Sequence, residues 1–224
     1  MQRRSYVTEA VEARTEIAFR ERFYIDISFA APLSSRLLRR PHEGFSIRSY
    51  RMKEYLHLID TQTSGPRCDV TPLFADPVAF SQLTTDLVQP FSALTIDYVA
   101  GIDALGFVLG TAIAVRLNKG FIPIRKGGKL PVAVAKATFV DYSGQTKTLE
   151  VRKGSIAPGD RILVVDEWIE TGAQVQAAID LIEREGGQVA GVVAINIDNN
   201  VLPARLRQKY LCSAAWFNMQ LPEE

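Results

Sequence analysis

The chain has 224 residues, 47% of them apolar, with a formal net charge of +1 at pH 7. That length and apolar share suit one sizeable domain with an appendage and exclude wholesale disorder, while the near-neutral charge argues against bulk nucleic-acid binding. Cys68 and Cys212 share no CxxC or metal-ligand spacing, and His42 and His57 stand in unrelated contexts, so a His-rich metal centre and a Ser-His-Asp triad are not expected.

The first residues, MQRRSYVTEAVEARTEIAF, lack an apolar signal core, and no run of about 18 apolar residues follows. A cytoplasmic protein with reduced thiols and no membrane contact is expected. Thr8 to Arg22 has the pattern of a charged, weakly amphipathic helix, and Phe23 to Phe29 that of a strand. Arg36 to Lys53 is Arg-rich, with Phe45, Tyr50 and Tyr55 interleaved or close by. It reads either as a nucleic-acid arm or as a solvated cap or subunit contact. Thr61 to Arg67 is rich in turn formers, so the chain is expected to divide into an extension or cap, 1–65, and a main domain, 66–224.

Asp76-Pro77 predicts a helix start, a capping Asp followed by Pro at the first position, with Phe80, Leu83, Thr84 and Leu87 at helical spacing. Thr95 to Ile102 predicts a strand ending at Asp103, Phe107 to Leu117 a buried helix, and Gly120 to Ile124 a strand. Lys126 to Ser143 has no clear period and reads as a long excursion. Thr146 to Val151 and Ile162 to Val165 predict strands on either side of the Pro158-Gly159 turn, and Val189 to Ile195 another. This alternation predicts an α/β fold, a mostly parallel twisted sheet with helices on both faces. Ligands of such sheets bind at the carboxyl ends of the strands. Asp103 to Gly106, Arg125 to Lys129 and Asp166 to Gln174 fall at such ends.

Arg161 to Glu185 carries the most chemistry. An apolar strand ends in Asp166-Glu167, the turn Glu170-Thr171-Gly172-Ala173 follows, and Val175, Ala178, Ile179 and Ile182 then repeat at helical spacing. Backbone N–H groups at a helix start attract phosphate, and paired carboxylates accept hydrogen bonds from vicinal hydroxyls. The pattern points to a ribose 5-phosphate, although many strand–turn–helix units hold none. It is neither a P-loop nor a dinucleotide turn, since no Gly-Lys-Ser/Thr and no Gly-x-Gly-x-x-Gly is present there.

Taken with Cys68-Asp69-Val70-Thr71-Pro72-Leu73, Asp97 to Asp103, Gly106-Phe107 and Arg125-Lys126-Gly127-Gly128-Lys129-Leu130-Pro131, these segments resemble a type I phosphoribosyltransferase, and most of all the adenine phosphoribosyltransferase family. The resemblance runs from about Asp69 to the C-terminus. It implies transfer of ribose 5-phosphate from 5-phosphoribosyl 1-pyrophosphate (PRPP) with Mg²⁺ to a purine, adenine favoured, in purine salvage, by a homodimer. It also implies roles. Asp166 and Glu167 would hold the ribose hydroxyls near a Mg²⁺ carried by the pyrophosphate. Glu170, Thr171, Gly172, Ala173 and Gln174 would wrap the 5-phosphate. Asp103, Ala104, Leu105, Gly106, Arg125, Lys126 and Lys129 would face pyrophosphate. Lys126 to Ser143 would form a lid carrying Tyr142.

The chain departs from the family in several places. The usual Arg before Gly-Phe is Leu105. The usual lid Glu is replaced by Asp141, the nearest equivalent and a candidate for the catalytic proton. The base-binding hood is replaced by residues 60–67, and Cys68 stands for an Arg. Glu170 opens the phosphate turn where adenine enzymes carry Ala, as an Asp does in hypoxanthine-guanine enzymes, and is the second candidate proton relay. Two alternatives therefore stand beside adenine salvage: another base (hypoxanthine, guanine, xanthine or a specialised one), or a PRPP-sensing transcription regulator. Phe107, Phe121 and Trp168 read as packing residues.

Overall fold

The computed structural model describes residues 53–64, 68–141 and 143–217. The expected helix (Thr8 to Arg22) and strand (Phe23 to Phe29), and all but Lys53 of the Arg-rich segment Arg36 to Lys53, lie outside them. Contacts divide the chain between Ser49 and Tyr50, where the sequence placed the division at residue 65. Ahead of that expected boundary, a 3-10 turn at Glu54–Leu58 buries Tyr55 and Leu56, and Asp60 pairs with Asp69 in an antiparallel bridge.

The first elements in chain order are α1 (Thr71–Ala75), α2 (Pro77–Val88), β1 (Tyr98–Ile102), α3 (Leu105–Leu117), β2 (Gly120–Lys126), β3 (Val134–Val140) and β4 (Thr146–Arg152). They are followed by β5 (Arg161–Val165), β6 (Trp168–Ile169), α4 (Ala173–Arg184), β7 (Gln188–Ile197), α5 (Val201–Lys209) and β8 (Cys212–Phe217). Asp76 caps α2 as its sequence predicts, its carboxylate accepting from Val78 N at 2.9 Å and Ala79 N at 2.8 Å.

The sheet runs β3-β4-β2-β1-β5-β7, and β6 and β8 also pair with β7. β1, β2, β5, β6, β7 and β8 pair in parallel; β3 and β4 are antiparallel to each other, and β4 to β2. Side chains alternate across each strand and fill two cores. Ile162 and Val164 of β5 join Ala178, Ile179 and Ile182 of α4 on one face. Leu163 and Val165 join Leu83 and Leu87 of α2 and Leu109 and Ile113 of α3 on the other. Each such fully buried aliphatic side chain contributes about 1.5–3 kcal/mol.

α3 carries the chain from β1 to β2, and α4 carries it from β5 to β7, so adjacent strands β1 and β5 send their helices to opposite faces. Their carboxyl ends open a crevice at the point where the strand order reverses.

One expectation is corrected. Lys126 to Ser143, read as aperiodic, contains β3, registered with β4 residue by residue from Val134↔Arg152 to Val140↔Thr146. Ala137, Leu149 and Val151 of this hairpin are buried. Among the described residues no helix is long and apolar enough to cross a membrane.

Candidate active site

Asp166 ends β5. Its N–H donates to Val193 O at 3.0 Å, which continues the ladder and drives the side chain inward to 2% exposure. Its Oδ1 accepts from Glu167 N at 3.0 Å, and its Oδ2 from the Gln174 amide at 3.1 Å. Burial, and then the neighbouring Glu167 charge, hold its carboxyl well above the usual carboxylate range. The backbone of Glu167 is fixed from the other side, its carbonyl accepting from Ile195 N at 2.9 Å.

The turn after the acid pair is built to expose amides. Gly172, at φ +78°, caps α4, and a Cβ there would sit 3.0 Å from Pro203 Cδ. Asn200 donates to Glu170 O at 2.7 Å and so ties this turn to the start of α5. The loop after β1 approaches from the opposite side. Gly106 packs so close that a Cβ would meet Val165 O at 2.9 Å and Asp166 Oδ1 at 3.3 Å. A side chain there would push the two loops apart. The Asp103–Ala104 peptide in this loop is cis.

A cavity of about 750 Å³ lies between these loops and the β3–β4 hairpin. Of the residues singled out by sequence, Asp103, Ala104, Leu105, Lys126, Asp141, Asp166, Glu167, Glu170, Thr171, Gly172 and Gln174 line it. Gly106 and Ala173 support the lining without joining it. Arg125 and Lys129 do not line it. Arg125 turns back to donate to Lys129 O at 3.1 Å, with its Nε 3.9 Å from Asp103. Tyr142 lies outside the described residues. Leu105 is half-buried against the apolar cluster of α2 and α3, so its side chain brings the cavity no charge.

Asp141, a candidate for the catalytic proton, also shapes the hairpin. Its Oδ1 accepts from Ser143 N, Ser143 Oγ and Gln145 N at 2.9, 2.7 and 3.0 Å, closing the hairpin turn. The Ser143 hydroxyl bond, the largest influence, holds its carboxyl below the usual range. Among the described residues its Oδ2 has only the Lys147 ammonium, at 3.9 Å, beside it, and a carboxylate held ionised in this way is a weaker base than a free one. Phe107 and Phe121 pack edge to face at 5.8 Å, as packing residues. Trp168 lines the cavity.

Lys136 and Lys147 of the hairpin also line it and escaped sequence reading; Glu150 of β4, which does not line it, escaped too. Glu150 had a legible signal, an acid between two core residues, Leu149 and Val151. Among the described residues no group of three or more His, Cys, Asp or Glu is arranged to hold a metal ion by itself. A wider apolar groove between α2 and α3 is lined by no acid. Its one cation, Arg116, donates to Thr84 and Ser81.

The model of the phosphoribosyl transferase domain matches residues 83–218. The chain is 44% identical over 123 residues to the adenine phosphoribosyltransferase of Jannaschia sp. (strain CCS1), covering 55% of this chain and 68% of that one. It is 45% identical over 122 residues to that of Roseobacter denitrificans, covering 54% and 68%. The crystal structure of adenine phosphoribosyltransferase from Rhodothermus marinus is similar with a TM-score of 0.69 at 31% identity, over 74% of this chain and 97% of that one. The Saccharomyces cerevisiae enzyme, complexed with an imino-altritol bisphosphate and adenine, is similar with a TM-score of 0.64 at 27% identity, over 73% and 97%. The chain belongs to the phosphoribosyl transferase family.

Proposed function

We propose, from that membership, that the chain transfers ribose 5-phosphate from PRPP to adenine in purine salvage. One observation carries the reading. The acid pair, the amide-rich turn at the start of α4 and the Lys126 turn, far apart in sequence, line one cavity at the reversal of strand order. A diol, a monophosphate and a diphosphate are the groups those three segments suit.

In this reading the ribose hydroxyls donate to Asp166 and Glu167, and the 5-phosphate accepts from the N–H groups and hydroxyl of Thr171 to Gln174. Pyrophosphate lies against Asp103 to Leu105 and Lys126. A bond forms from the purine nitrogen to C1 of the ribose as the C1–O bond breaks, and the electron pair leaves with pyrophosphate. Glu170, which lines the cavity at the phosphate turn, takes the purine proton, in preference to Asp141, whose Oδ1 closes the hairpin turn and whose carboxyl is held below the usual range. Mg²⁺ fits as a companion of the substrate: Asp166 and Glu167, which line the cavity, would stand beside it, and the substrate's own oxygens would supply the rest of its ligands. When bound, it neutralises the departing charge. The reading extends to a homodimer in the cytoplasm.

The test is pyrophosphate release from PRPP with adenine, hypoxanthine, guanine and xanthine in turn. Release with adenine above all others is expected. Release with another base would move the acceptor. Tight PRPP binding with no release on any base would favour the sensor, the reading that apolar Leu105 and the engaged Asp141 support.

A further inference from the structure

Glu150 stands mid-strand in β4 between two core residues, Leu149 and Val151, and points to the opposite face. It is 1% exposed. A carboxylate shut from water is costly unless its lone pairs are filled. Three consecutive backbone N–H groups fill them: Gly128 N at 3.0 Å on Oε2, then Lys129 N and Leu130 N at 2.7 Å each on Oε1. Such a run of amides is the kind of concavity that captures a free anion. Here the chain supplies its own anion, and the turn is locked to the neighbouring strand.

The locked turn matters because of where it lies. Lys126, Gly127 and Gly128 line the cavity, on the side shared with Asp103 to Leu105. Gly127 N donates to Thr148 O at 2.8 Å, so the turn is held at both ends by β4. Gly128 sits at φ +80°, with nothing within 4 Å of where a Cβ would be. Lys136, opposite Glu150 in the ladder, also lines the cavity.

We infer that Glu150 is a positioning residue for the diphosphate: it holds the Gly127–Leu130 turn in the shape that receives the pyrophosphate end of the substrate. The inference rests on the PRPP reading and deepens it. Glu150 acts through the turn and does not touch the ligand. In Glu150→Gln the acceptor for Lys129 and Leu130 survives, while an amide NH₂ meets the N–H of Gly128 and pushes the turn outward.

The experiment is calorimetric titration of wild type, Glu150→Gln and Gly128→Ala with magnesium pyrophosphate and, separately, with AMP. AMP shares the ribose phosphate of the substrate but lacks its pyrophosphate. Gly128→Ala strains the same turn from its open side and carries the test if Glu150→Gln fails to fold. Pyrophosphate affinity about tenfold weaker in the variants is expected, with AMP affinity within about twofold. Unchanged pyrophosphate affinity, or equal losses for both ligands as a general loosening would give, overturns the inference and leaves the PRPP reading standing. A wild type that binds neither ligand removes the reading and the inference together.

Discussion

Asp166 is the residue whose function and stability conflict most openly. A carboxyl at 2% exposure beside Glu167 favours the protonated form, and the fold keeps it there for what it can hold. Its folded pKa lies above the unfolded value of about 3.9, so the unfolded chain loses this proton first as pH rises. Stability therefore falls as pH climbs from about 4 toward the raised folded value. Asp166→Asn removes that penalty, and the Gln174 amide can rotate to meet it. The variant should melt about 2–4 °C higher at pH 7, with the gain vanishing below about pH 4. Its PRPP affinity should fall roughly tenfold, the worth of an acceptor oxygen for the ribose hydroxyls that the amide NH₂ replaces. Calorimetric melts across pH with parallel titrations decide this, and a lower melting point at pH 7 would contradict the argument. Kinetics separate Glu170 from Asp141. Glu170→Gln should lower kcat at least about tenfold, whereas Asp141→Asn should change it less than about threefold. A Glu170→Gln enzyme with wild-type kcat would return the proton to another group.

Among the elements, the β3–β4 hairpin is where structure and expectation part. A lid over residues 126–143 implied a hinged flap. The observed hairpin is anchored: Ala137, Leu149 and Val151 sit in the core under α4, and Arg184 of α4 donates to Lys136 O at 2.6 Å. These contacts hold β3 and β4 to the body of the fold. Hydrogen exchange on the ligand-free protein should show slow amides at Ala137 and Leu149 and fast ones at Ser143 and Gly144. Uniform fast exchange along β3 would restore the flap. The reason β3 was illegible lies in its burial. Only Ala137 of its seven residues is buried, so the strand lacks the continuous apolar run that marks β5 and β7. β6 is two residues long, and α5 has Pro203 in its first turn, so neither presents a period to read. By contrast, α2 and α4 were legible because cap and stripe agree. Asp76 and Pro77 open α2, and Val175, Ala178, Ile179 and Ile182 line the buried side of α4. Asp76→Ala should cost about 1 kcal/mol and leave turnover unchanged, because α2 touches the far core and not the cavity. A melt and one kinetic assay check both halves. The site followed the same rule. Residues at strand ends and helix starts could be read, while Asn200, which acts by bonding a distant backbone, carries no local motif, and the acid-between-core-residues signal of Glu150 does not name the backbone it bonds.

At the scale of the whole molecule, the fold collects an excess of acids at one place. The chain is nearly neutral at +1, yet its cavity gathers Asp103, Asp141, Asp166, Glu167 and Glu170 against Lys126, Lys136 and Lys147. The excess arises because the ends of β1 and β5 each finish in acids and the strand order brings them side by side. A polyanion entering such a site meets repulsion that three ammonium groups do not offset, and the low-dielectric walls strengthen it. A divalent cation arriving with the diphosphate reverses the sign of that encounter. Chelation in excess EDTA should therefore cut PRPP turnover by at least about 100-fold, with full recovery on adding Mg²⁺. AMP, with no diphosphate, should bind within about threefold of its affinity in Mg²⁺, since the amides of the phosphate turn need no metal. Titrating both ligands with and without Mg²⁺ separates the two cases. Full turnover in chelator would mean that the lysines alone carry the diphosphate, and the acids of the cavity would then need another purpose.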